Sequence, residues 1–111
     1  MSSKYILAIE TSSSICGVAV IHNKELLSIE EKDVRRKHAE LLPGLTKASL
    51  SNINITLDDI DAIAISIGPG SFTGLRIGLG FSKGIAYAKN LPIIPVPSML
   101  SLAYSLREYE P

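Results

Sequence analysis

Several things this chain lacks narrow what it can be. Among its 111 residues there is one cysteine, no tryptophan and two histidines. A lone Cys16 rules out an intrachain disulfide and any cysteine metal cluster. It falls in an apolar strand pattern, where a buried, inert thiol is expected. Aromatics make up only 5% against a hydrophobic fraction of 46%, so the core must be aliphatic. Charge is balanced, with 11 basic and 11 acidic residues. An independent nucleic-acid binder carries a basic excess, because phosphate neutralisation dominates its affinity. The one dense basic cluster, Arg35-Arg36-Lys37, follows Glu30, Glu31 and Asp33 and reads as a solvated connection. No apolar run approaches membrane-spanning length. Met1-Ser2-Ser3-Lys4 passes straight into Tyr5-Ile6-Leu7 without a signal-peptide stretch, so a cytoplasmic location is expected.

What the chain does have is glycine in an unusual place. Gly68-Pro69-Gly70-Ser71-Phe72-Thr73-Gly74-Leu75-Arg76-Ile77-Gly78 joins an apolar strand to a helix, and that helix goes on to Gly80 and Gly84. Each helical glycine costs about 1 kcal/mol relative to alanine. Repeated glycine therefore implies close backbone approach to something. Gly74, Gly78, Gly80 and Gly84 are expected to join Ile77, Phe81, Ile85 and Ala88 on one broad face, with Phe72, Leu75, Leu79 and Ala86 forming a second. Arg76, Lys83 and Tyr87 leave only a narrow polar strip. A helix resting on a sheet needs one apolar stripe. This one is expected to meet its own sheet on one side and a further element or subunit on the other. Gly68, Pro69 and Gly70 are expected to serve the turn, with positive φ at Gly68 or Gly70.

The remaining pattern is βββαβαβα. Strands are expected over 5–10, 15–21, 26–31, 61–67 and 93–96. Helices are expected over 38–50, with Leu41, Leu42, Leu45 and Ala48 at helical spacing, and over 72–90. Ser98 can cap a last helix carrying Met99, Leu102, Ala103 and Leu106. Pro43 is expected in the first turn or at a kink of its helix.

Three blocks carry a family resemblance. Ile6-Leu7-Ala8-Ile9-Glu10-Thr11-Ser12, His38-Ala39-Glu40-Leu41-Leu42-Pro43 and Ile67 through Gly78 resemble the opening strand, first-helix signature and glycine block of the TsaB (YeaZ) family. The resemblance runs over nearly the whole chain. It implies an α/β fold: a ribonuclease-H-like, actin-like ATPase lobe with a mixed five-stranded sheet flanked by helices. Residues 1–111 would form the N-terminal lobe, the second lobe being absent. It also implies a non-catalytic partner of the TsaD-like catalytic subunit, working with a TsaE-like ATPase to make threonylcarbamoyladenosine at position 37 of tRNAs. Docking to TsaD and homodimer formation would use the same helices, and tRNA would be met only through the complex. Leu41, Leu45, Gly74, Gly78 and Phe81 are the expected interface contacts, with no assignment of which helix face points inward.

The rival is an enzyme in its own right, an ATP-dependent transferase or a glycoprotease-like peptidase. Residue patterns count against it. A P-loop needs Gly-x-x-x-x-Gly-Lys-[Ser/Thr], but Gly74 is followed by Leu75-Arg76. The dinucleotide spacing fails by one residue. Glu10-Thr11-Ser12-Ser13-Ser14 occupies the place where actin-like ATPases grip phosphate, yet those use an Asp followed closely by Gly and Thr. TsaD-like proteins carry a His-x-x-x-His metal pair where this chain has Ser98 and Leu102. His22 and His38 are expected in a turn and at a helix start, in surface or capping roles. No catalytic, cofactor-binding or metal-ligating residue is therefore nominated. A third reading is a fragment that folds and binds nothing.

Overall fold

A computed structural model of the chain describes residues 4–11, 15–33, 38–68 and 72–97. Its elements in order are β1 (Tyr5–Glu10), β2 (Ile15–His22), β3 (Glu25–Asp33), α1 (His38–Ser51), a 3₁₀ turn (Leu57–Asp59), β4 (Ala62–Ser66), α2 (Phe72–Lys89) and β5 (Ile93–Val96). The sheet order is β3-β2-β1-β4-β5. β1 pairs antiparallel with β2 and parallel with β4, so the sheet is mixed and β1 is its centre. The fold is the α/β class expected. The expected helix at 98–106 lies outside the described residues.

Register puts the large aliphatics on one face. Leu7 opposes Val20 and Ile63, and Ile9 opposes Val18 and Ile65. All of these are essentially buried, in one cluster with Cys16, Leu42, Leu45, Leu50 and Ala86. Each such side chain contributes about 1.5–3 kcal/mol by leaving water. The cluster holds side chains from both helices, so α1 and α2 lie on this face. The opposite face carries Ala8, Ala19 and Ala64 in one row, with Ile29 and Ile94 at its two ends.

Turn chemistry explains the breaks. Asn23 and Lys24 take φ of 48° and 78°, as a two-residue hairpin turn twisted to match its strands requires. β2 therefore runs on to His22, which is a strand residue and not part of the turn. It pairs with Tyr5, and the two rings stack with centroids 4.1 Å apart. β3 is longer than the expected 26–31 because its ladder with β2 continues through Cys16↔Lys32 and Ile15↔Asp33. Main-chain pairing does not depend on an apolar side chain. Pro43 sits in the second turn of α1 and is exposed. α2 stops where Asn90 turns to φ 56° and Leu91 N–H bonds back to the Ala86 carbonyl. This is a left-handed helix end with asparagine in the glycine position. The 3₁₀ turn, absent from the sequence reading, is held by a capping box between Thr56 and Asp59.

Candidate partner-docking surface

α2 has two sides with opposite roles. Toward the sheet it presents Gly74, Gly78, Ser82 and Ala86, each four residues from the last, and all four are buried. Small side chains here let the helix axis come close to β1 and β4. Gly78 marks the tightest point. A Cβ built there would collide with Thr11 Oγ1 and sit 3.1 Å from Ile65 Cδ1. Thr11 cannot simply turn away, because it is fully buried and its hydroxyl donates to the Gly74 carbonyl at 2.6 Å. Thr11 at the end of β1 thus clamps the first turn of α2 onto the sheet.

Gly74 and Gly78, expected among the interface contacts with no face assigned as inward, face the chain's own core. The physical reason is the four-residue spacing with Ser82 and Ala86, which prolongs their line along the sheet side. Leu45 is likewise spent inside, at 5% exposure. Leu41 and Phe81 are half-buried and pack on the rim of the core cluster.

The outward side is built from other residues. Gly80 and Gly84, expected on one face with Gly74 and Gly78, lie on the other side, because at about 100° per residue they sit roughly 200° and 240° round the helix from Gly78. A Cβ added at either meets nothing within 4 Å, and the same is true of Gly44 on α1. Tyr87 stands beside them at 92% exposure. So two neighbouring helices carry three glycines that open onto solvent, at a helix-propensity cost the fold itself does not require. Between the helices runs a groove of about 540 Å³, lined by Leu50, Ile55, Leu57, Phe81 and Ile85 among others. Lys89 and Asp58, which also line it, form an ion pair at 2.7 Å. Lys89 donates to the Asp58 carboxylate and holds its pKa below the ordinary value.

The glycine turn is a structural device where it is described. Gly68 adopts φ 106°, a conformation costly for any residue with a Cβ. Pro69 and Gly70 lie outside the described residues, as do Ser98 and Leu102. At the end of β1, the Thr11 hydroxyl that could face a phosphate is spent on the helix, and Glu10 is half-buried. Cys16 is fully buried, and burial pushes its thiol up to about 11. Among the described residues, no three of His, Cys, Asp and Glu are grouped to hold a metal ion. No helix there is long and apolar enough to cross a membrane.

A mixed sheet with two helices on one face and a small-residue clamp between β1 and α2 defines the class: an α/β lobe of the ribonuclease-H-like, actin-like kind. Comparison with known proteins gives the family. The model of the family described as TsaD, tRNA N6-adenosine threonylcarbamoyltransferase, matches residues 9–111, and the chain belongs to that family. It is 35% identical over 108 residues to the tRNA threonylcarbamoyladenosine biosynthesis protein TsaB of Haemophilus influenzae, covering 97% of this chain and 45% of that protein. It is 36% identical over 107 residues to the tRNA N6-adenosine threonylcarbamoyltransferase of Fusobacterium nucleatum, covering 82% of this chain and 31% of that protein. Among solved structures, YeaZ from Pseudomonas aeruginosa superposes with a TM-score of 0.81 at 35% identity, over 95% of this chain and 49% of that one. The resemblance to TsaB (YeaZ) read from the sequence motifs therefore stands. The chain spans about half the length of the curated relatives it matches.

Proposed function

We propose that this chain is a partner subunit in tRNA threonylcarbamoyladenosine biosynthesis, and that the outward face of α1 and α2 is where it docks a TsaD-like threonylcarbamoyltransferase. The observation that carries the reading is the trio Gly44, Gly80 and Gly84. All three open onto solvent, on the two helices that flank an apolar groove. Small residues on a helix surface let a second helix approach closely. The same face supports self-association, with a two-fold dimer as the default geometry. In this reading residues 1–111 act as one lobe that presents a surface. A TsaE-like ATPase and tRNA are reached only through the assembled complex.

Catalysis is assigned to the partner. The resemblance matches the TsaD-like metal pair to Ser98 and Leu102, which are not metal ligands of that kind, and the Thr11 hydroxyl is committed to α2. The test is reconstitution with ATP, bicarbonate, threonine and tRNA. Modified tRNA is expected only when TsaD-like and TsaE-like proteins are present together with this chain. Product from this chain alone would overturn the reading, and so would full activity of the partners without it.

A further inference from the structure

We infer that Thr11 is a positioning residue for the docking face: it sets the height and rotation of α2, and through α2 the direction in which Gly80 and Gly84 point. The inference rests on the docking reading above and adds to it a residue that a partner on that face does not touch. Thr11 directly follows β1, is fully buried, and lies on the opposite side of α2 from the exposed glycines. Two contacts seat it there. Its hydroxyl donates to the Gly74 carbonyl at 2.6 Å. One turn further on, a Cβ on Gly78 would meet both its Oγ1 and its Cβ. Thr11 is thus a key held in the notch between two glycines four residues apart.

The notch admits one placement of the helix. A rotation of α2 by one residue, about 100°, brings Leu75 and Leu79 onto Thr11 in one sense, and Thr73 and Ile77 in the other. None of these side chains fits where a single Cβ already collides. A slide by a whole turn, about 5.4 Å, sets Ser82 in place of Gly78 in one direction. In the other it carries the notch off the start of the helix, which begins at Phe72. The rest of the inner line offers no such lock. Ser82 and Ala86 are small, and Ser82 Oγ has no hydrogen-bond partner among the described residues. Burial of apolar surface is non-directional, so it holds α2 against the sheet without fixing how far the helix is turned. That turn matters outside. It decides where Gly80 and Gly84 face relative to Gly44 on α1, and how Phe81 and Ile85 line the groove. A binding surface needs its parts held to within about 0.5 Å and 10–20° by the residues behind it.

The test compares Thr11→Val, which keeps the shape and loses the hydroxyl, with Thr11→Ser, which keeps the hydroxyl. Neither leaves the Gly74 carbonyl orphaned, since helix bonding supplies it with the Gly78 N–H. Binding of the cognate TsaD-like protein is measured by calorimetry at a temperature where circular dichroism shows each variant folded. The comparison is repeated in the Gly84→Leu background, because residues that act through one another give non-additive effects. Thr11→Val is expected to bind about three- to thirtyfold more weakly than the wild-type chain, the range for substitutions that modulate a site without touching its ligand. Thr11→Ser is expected to bind as the wild type does. The Thr11→Val loss is expected to shrink in the Gly84→Leu background, where the face is already spoiled. Wild-type affinity of a folded Thr11→Val variant overturns this inference and leaves the docking reading standing. So does a loss undiminished in the Gly84→Leu background, and so does a Thr11→Ser variant that binds as weakly as Thr11→Val. Failure of Thr11→Val to fold makes Thr11 a purely structural residue and overturns the inference too. No binding of the wild-type chain to the TsaD-like protein overturns the docking reading and this inference together.

Discussion

The two sides of α2 use the same residue for opposite ends. Gly78 has no room for a Cβ, because Thr11 and Ile65 already fill the space. Gly80 and Gly84, two and six residues further on, have nothing within reach. The inner glycine serves the fold, since the helix cannot sit on β1 and β4 without it. The outer glycines weaken the helix and bring the isolated chain no packing in return. Local costs with no internal benefit are expected at functional sites, and the docking proposed for this face gives these glycines such a use.

Substitutions can break or sharpen this contrast. The largest effect is expected at Gly78. Gly78→Leu should destabilise by at least about 3 kcal/mol and leave little folded protein, because overpacking meets a hydrogen-bonded threonine that cannot yield. Urea unfolding monitored by circular dichroism checks it; a normal midpoint would show that α2 does not sit as close to the sheet as described. Gly80→Ala and Gly84→Ala should act the other way, each raising stability by about 0.5–1 kcal/mol through helix propensity and a less flexible unfolded chain. Loss of stability at either would mean that these positions are already packed. The smallest effect is expected at Cys16, on the inner side of the sheet. Its thiol stays protonated through neutral pH, so a disulfide reagent should modify it only as fast as the chain unfolds. The folded pKa, about 11, lies above the ordinary 9.0, so the stability linked to this group is complete below about pH 9 and is lost as pH rises toward 11. Rapid labelling of the native protein near pH 7 would contradict the burial.

Much of the fold was legible because the periodicity was clean. Tyr5–Glu10 and Ile93–Val96 were read with their observed bounds, and the helices within a residue or so. The left-handed turn at Gly68 was legible from Gly-Pro-Gly. The orientation of α2 was not. Its sequence offers nearly two apolar faces, with Gly74 and Gly78 assigned to one, Ala86 to the other and Ser82 to neither, so hydrophobicity does not choose the inward side. The signal that could have decided it is size: Gly74, Gly78, Ser82 and Ala86 are all small and evenly spaced. The Thr11 clamp was not legible, because nothing in a linear pattern shows that its hydroxyl meets a carbonyl 63 residues away. The 3₁₀ turn was missed because three residues hold too short a period to detect.

The central claim is that the outer glycines exist for a partner, and one measurement reaches it directly. Gly84→Leu adds bulk where the chain itself has open space. The variant should fold with an undiminished unfolding midpoint. Titrated calorimetrically against the cognate TsaD-like protein, it should bind at least about tenfold more weakly than the wild-type chain, as expected when bulk is forced into a close-packed interface centre. A folded Gly84→Leu variant that binds with wild-type affinity would contradict the account.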